Sequence, residues 1–172
     1  MFSPYTLGLL DAARQRGRLT AINGMVASAG VAAVEFLRSA DILFIAASEL
    51  RDLLMHLGLE RPEALLGLGL ERMFVTHGSR GSVTWGADGL HAVPAVAVER
   101  VIDTTGAGDA FVAGTLAGLL KGMPADEAAS VGAASASFVI EAWGAQTRLP
   151  SWDEMMARRE SHIAPESERG GS

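Results

Sequence analysis

Residues 101–122 read VIDTTGAGDAFVAGTLAGLLKG. A tight turn of small residues, Gly106-Ala107-Gly108, stands before an acid, Asp109, and an apolar run rich in Ala and Gly follows. Three kinds of glycine turn compete here. A dinucleotide fingerprint, GxGxxG, needs a third glycine for close helix–strand packing, and Phe111 stands at that position. A GxxxxGK[ST] phosphate loop is absent from the chain. The third is an anion hole made of backbone N–H groups at a helix start, where small residues admit a phosphate and the helix dipole favours its charge. That option fits. Asp109 keeps two readings: an acid that stabilises the first helical turn, or a base that takes a proton from a hydroxyl attacking a bound γ-phosphoryl group.

Outward from this turn, the chain alternates strands and helices. Residues 5–15 have helical spacing at Leu9, Leu10 and Ala13, and LTAI (19–22) is a short strand stopped by Asn23-Gly24. VAAVEFLRSA (31–40) predicts a helix, DILFIA (41–46) a strand, SELRDLLMHLG from Ser48 a helix, PEALLGLGL a short helix and RMFVTHG (72–78) a strand. Such alternation implies a mostly parallel sheet covered by helices. Ala87-Asp88-Gly89 then separates two alternating runs, a hairpin signal that adds antiparallel strands. The run VPAVAVERVI (93–102) also alternates like a strand. Two helices rich in small residues, 106–121 and 125–142, and a last one near 151–160 complete the pattern. The reading is a single α/β domain over 1–162 with a flexible, polar tail at 163–172.

Composition narrows the class. The 172 residues carry a net charge of −6, which argues against a broad nucleic-acid footprint. The absence of cysteine excludes disulfides and cysteine-ligated metal. No apolar run reaches a membrane span, and no basic region precedes the apolar part of the N-terminus, so a cytoplasmic protein is expected. His56, His77, His91 and His162 are scattered without ligand spacing, and Trp85, Trp143 and Trp152 read as packing residues. THGSRG (76–81), taken alone, is a strand-to-hairpin turn; its functional reading is a second backbone shelf for a nucleotide, with Arg80 near phosphates.

Taken together, these strings resemble the ribokinase-like, PfkB-type family of carbohydrate and nucleoside kinases. VIDTTGAGDAFVAGTLAGLLKG is similar to the family's C-terminal signature, VTHGSRGSVTW to its TxGxxG segment, and WGAQTRLPSWDEM to the segment closing the nucleotide and cation site. LLDAARQRGRLTAI and SADILFIAASEL resemble the middle of its αβα core. The resemblance implies a three-layer fold and ATP-dependent transfer of the γ-phosphoryl group to a sugar or sugar-like hydroxyl. It implies Asp109 as the base and the amides of Gly106, Ala107 and Gly108 as the anion hole. Thr76, Gly78 and Gly81 would lie along the nucleotide. Asp103 and Thr105, with backbone carbonyls near Ala142 and Gly144, would hold a monovalent cation, typically K⁺. Mg²⁺ would be held mostly by ATP phosphates and water.

The chain departs from the family in two ways. The usual NxxE reads Ala46-Ala47-Ser48-Glu49 here, so the acid that helps organise Mg²⁺ and phosphate remains while the asparagine is gone. Family members are also about twice as long, and no stretch before Met25 resembles their acceptor motif or lid. The expectation is therefore a nucleotide-binding half, with an exposed apolar face covered by a second copy or a partner chain. Three functions stand in competition: a sugar kinase, a nucleotide-binding module that does not transfer phosphate alone, and a purely structural αβ core.

Overall fold

The computed structural model describes residues 3–163, so most of the expected tail, 164–172, lies outside the described residues. Helix α1 (Pro4–Gln15) is capped by Ser3, whose hydroxyl accepts the Thr6 N–H, and Pro4 takes the first-turn position that lacks a helical acceptor anyway. Strand β1 (Ala21–Asn23) follows, then a 3₁₀ segment (Val26–Ala32) and α2 (Ala33–Arg38). Next come β2 (Ile42–Ala46), α3 (Ala47–Leu57), a second 3₁₀ segment (Pro62–Leu68) and β3 (Arg72–Thr76). The hairpin strands are β4 (Ser82–Gly86) and β5 (Gly89–Val93). Helices α4 (Ala107–Leu120), α5 (Ala125–Val139) and α6 (Trp152–Ile163) close the chain.

The five strands lie in chain order, β1-β2-β3-β4-β5. Strands β1, β2 and β3 run parallel, and β4 turns antiparallel to β3, as the strand–helix alternation and the hairpin signal lead one to expect. Three sequence expectations are corrected. The helix expected over 31–40 is shorter: residues 31 and 32 follow the non-helical Gly30 (φ 59°, ψ −130°) within the 3₁₀ segment, and α2 runs only from Ala33 to Arg38. The alternating run 93–102 is not a strand beyond Val93. Pro94 has no N–H to offer a ladder, and the Ile102 N–H pairs with the Ile140 carbonyl at 2.8 Å instead. The helix expected over 125–142 ends at Val139.

The described residues form two compact units, one made of 3–77 and 82–91, the other of 78–81 and 92–163. In the first, one sheet face presents Leu43, Ile45, Met73 and Val75, all buried with Leu37, Leu50, Leu53 and Leu65 from the covering helices. Alternation sets the opposite face, where Phe44 and Phe74 sit in register and stack at 4.8 Å. The N-terminal ends of the strands are tied by Asp41. Its carboxylate accepts the N–H and hydroxyl of Thr20 at 2.7 and 2.8 Å and pairs with Arg14 at 3.1 Å.

In the second unit, α4 and α5 approach unusually closely, because glycines face each other's backbone. A Cβ at Gly132 would lie 2.2 Å from Thr115 Oγ1 and 2.6 Å from the Phe111 carbonyl oxygen. A Cβ at Gly114 would lie 2.9 Å from Ser135 Cβ, and one at Gly118 3.0 Å from Ala128 Cα. The small residues that make both helices weakly amphipathic in sequence are the ones that let them touch.

This contact predicts a contrast between two Gly→Ala changes. Gly132→Ala adds a methyl where a backbone oxygen stands, so overpacking of about 1–3 kcal/mol outweighs the helix-propensity gain of about 1 kcal/mol. Gly8→Ala in α1, where nothing lies within 4 Å, gains about 0.5–1 kcal/mol. Thermal melts should show Gly132→Ala lowered and Gly8→Ala unchanged or raised; a Gly132→Ala melt at or above wild type contradicts the close contact.

Candidate functional site

The turn 103–106 leads directly into α4. Gly106 is the N-cap residue with a left-handed backbone, φ 80°, and a Cβ there would lie 2.5 Å from Ala145 Cβ, so the position demands glycine twice over. The Ala110 N–H closes the first helical bond to the Gly106 carbonyl at 2.9 Å. Ala107, expected among the anion-binding amides, directs its N–H back to the Thr104 carbonyl at 3.2 Å and tightens the turn. Gly106 and Gly108, as N-cap and second helical residue, have N–H groups without an intrahelical acceptor. A Cβ at Gly108 would meet nothing within 4 Å, so the space beside it is open. Asp109 stands exposed in the first turn of α4, where the helix dipole favours a carboxylate.

Asp103 organises the approach to this turn. One carboxylate oxygen accepts the Thr105 N–H (2.9 Å) and hydroxyl (2.7 Å), and the other accepts the Gly144 N–H at 2.9 Å. Residues 103–105 and 144, far apart in sequence, are thus brought together, with Ala142 two residues from Gly144. The loop after α5 turns at Gly144, φ 82°, and Thr147 donates its hydroxyl to the Trp143 carbonyl. The hydrogen bond from the Thr105 hydroxyl, with the Thr105 and Gly144 amides behind it, holds the Asp103 carboxyl below its ordinary value against a small opposing desolvation.

The base of that loop carries residues that the motif reading passed over. Glu141 Oε2 receives Arg148 and Arg158, each at 2.9 Å. Arg158 also donates to Ser137 Oγ at 3.0 Å, and its guanidinium lies 3.4 Å from the Phe138 ring centroid. No spacing rule marks these residues, since they converge from α5, the loop and α6.

The 78–81 turn is a single 3₁₀ turn closed by the Gly81 N–H on the Gly78 carbonyl at 3.0 Å. A Cβ at Gly81 would fall 2.1 Å from the Val93 carbonyl oxygen, so this glycine is required by packing, while Gly78 (φ 62°) is open. Arg80 is exposed. In the first unit, Thr76 ends β3 and pairs in register with Ala46 of β2, at the C-terminal strand ends where open α/β sheets bind ligands. Glu49, three residues past Ala46, turns its carboxylate back to accept the Ala46 N–H at 3.1 Å. A Cβ on Gly24, at the end of β1, would lie 3.1 Å from the same oxygen. Alanine provides no side-chain cap in return, so the capping pair is one-sided. Among the described residues, no three His, Cys, Asp or Glu side chains converge as a metal-ligand set, and no helix is long and apolar enough to cross a membrane.

The Asp103 network predicts a pH signature. Its folded-state pKa is depressed, so the stabilisation is present above the unfolded value of about 3.9 and is lost as pH falls below it, through the folded value. Acid melts should show wild type losing this increment below about pH 4, and Asp103→Asn, already lower at neutral pH, losing less. Parallel acid limbs for the two proteins would contradict the network.

Residues 5–152 match the pfkB family of carbohydrate kinases. A nucleoside kinase of Methanocaldococcus jannaschii is 45% identical over 92 residues, which cover 54% of this chain and 30% of that protein. The crystal structure of a Methanocaldococcus jannaschii nucleoside kinase, described as an archaeal member of the ribokinase family, superposes with TM-score 0.81 at 34% identity, covering 89% of this chain and 52% of that one. The Burkholderia thailandensis nucleoside kinase in complex with inosine gives TM-score 0.83 at 25% identity, covering 91% and 52%. The chain spans about half the length of these solved structures and under a third of the first relative. With the family matched over most of its length, and the glycine turn, first-turn acid and mixed sheet in place, this chain belongs to the pfkB family of carbohydrate kinases.

Proposed function

We propose that the chain carries the phosphoryl-transfer site of an ATP-dependent kinase acting on a hydroxyl of a nucleoside or sugar. The observation that carries this reading is the start of α4: an open glycine at Gly108 beside an exposed first-turn carboxylate, Asp109. The N–H groups of Gly106 and Gly108 face the transferring phosphoryl, and the helix dipole favours its charge. Asp109 takes the acceptor's proton as that oxygen bonds to the γ-phosphorus and the bond to the bridging oxygen of ADP breaks. Thr76, Gly78, Arg80 and Gly81 serve the nucleotide. Asp103 and Thr105, with carbonyls near Ala142 and Gly144, suit a monovalent cation; their tie through Gly144 brings this oxygen-rich set together. Mg²⁺ would supply charge neutralisation on the ATP phosphates, and Glu49, the acid that remains of the chain's NxxE equivalent, would help organise it. Acceptors of the nucleoside class are favoured because the relatives at 45% and 34% identity are nucleoside kinases.

A second reading rests on Ala46. Without the asparagine's polar contact, the chain binds ATP but transfers phosphate poorly or only with a partner chain. Helix α1 buries none of its residues and exposes Tyr5 and Leu9, which is where we place a second copy or partner; light scattering that reports a monomer at all concentrations opposes this.

A coupled ADP-release assay with ATP, Mg²⁺ and a panel of nucleosides and sugars decides between them. The kinase reading expects turnover that Asp109→Asn lowers by about 10²–10⁴-fold, the usual contribution of a general base, with ATP affinity retained. ATP binding by calorimetry without turnover favours the second reading, and no ATP binding removes both.

A further inference from the structure

We propose that Glu141, with Arg148 and Arg158, is a positioning cluster that holds the 142–147 loop against the turn at the start of α4; the consequence for nucleotide rests on the function proposed above. The geometry is a clamp on the loop's two ends. Glu141 stands at one end and Arg148 at the other, and their side chains meet at 2.9 Å. Arg158 of α6 binds the same carboxylate oxygen and rests on Phe138 of α5, so the clamp is fastened to both helices. Between the clamped ends lie the two residues that touch the turn: Gly144, whose N–H binds Asp103, and Ala145, which packs on Gly106. The Glu141 side chain is mostly buried, at 18% exposure, so it is screened less than a surface acid. Two guanidiniums share it, and removing one leaves the carboxylate paired. Arg148 is therefore the residue to change: its loss opens the loop while Glu141–Arg158 keeps the helices joined.

The experiment is amide hydrogen exchange on the full chain, wild type against Arg148→Ala, Arg148→Lys and Glu141→Gln. An ion pair with one half-exposed partner implies exchange at 143–146 that is about two- to fivefold faster in Arg148→Ala, with amides of α5 unchanged. Arg148→Lys should restore at least part of the protection, since charge rather than size closes the loop. Glu141→Gln, which loses the charge for both arginines, should accelerate the same amides at least as much. In Arg148→Ala, unchanged exchange at 143–146 overturns the proposal, and so does an equal rise across α5 and α6, which marks general destabilisation. ATP affinity, measured in parallel, should weaken in Arg148→Ala; faster loop exchange with unaltered affinity overturns the link to the nucleotide. If wild type binds no ATP, the kinase reading falls, and the clamp is still decided by exchange alone.

Discussion

The second unit depends on how closely α5 can lie against α4. Gly132 faces the Phe111 carbonyl and Thr115, Gly114 faces Ser135, and Gly118 faces Ala128. Each missing side chain removes a spacer, and backbones meet where side chains normally stand. The consequence reaches the functional turn through short connections. The end of α5 brings the Ile140 carbonyl to the Ile102 N–H, Gly144 to Asp103, and Ala145 to Gly106. A wider helix pair would pull all three apart together. Helix packing sets Gly114 and Gly118, and on the proposed function phosphate approach falls on a different glycine, Gly108, beside which the space is open.

Asp103 shows how one side chain can serve several ends. It has two oxygens and accepts three hydrogen bonds, two from its own turn and one from the loop after α5. A carboxylate has lone pairs to spare beyond these. It can therefore hold the local geometry and still present negative charge to a cation, which is what the proposed role requires.

The sequence made much of this legible where periodicity or turn chemistry is strong. Buried strands such as ILFIA and MFVT, the hairpin around Asp88-Gly89, and the helix start behind Gly106 are all readable because local preference and burial agree. Reading failed where one residue overrides a pattern. Pro94 removes the N–H that an alternating run needs to join a sheet, and a 3₁₀ segment, Val26–Ala32, takes the first two residues of the run read as a helix from 31. The Glu141 cluster was invisible for a different reason. Its members come from three elements, and a charge pair across such distances has no periodic signal. Glu49 was legible as an acid of the right spacing, but its turn back onto the Ala46 N–H depends on side-chain geometry.

Electrostatics explains why an acid and an anion turn can share one helix start only with help. On the proposed reading, the Asp109 carboxylate and a phosphate are like charges; at 5 Å and an effective dielectric of 20, a unit pair repels by about 3 kcal/mol. The helix dipole returns about 0.3–1 kcal/mol at an exposed N-terminus, which does not offset the repulsion. Two further sources of positive charge would close the gap. Mg²⁺ on the phosphates would neutralise the anion itself, and a cation beside Asp103, where the proposed function puts one, would raise the potential behind the turn. On that reading the same repulsion would favour catalysis, because it would ease as Asp109 took a proton from the attacking hydroxyl. An acid placed there as a helix cap alone would stabilise the helix start but weaken anion binding, whereas an acid that is neutralised during transfer would be repelled in the ground state and relieved as the reaction proceeds.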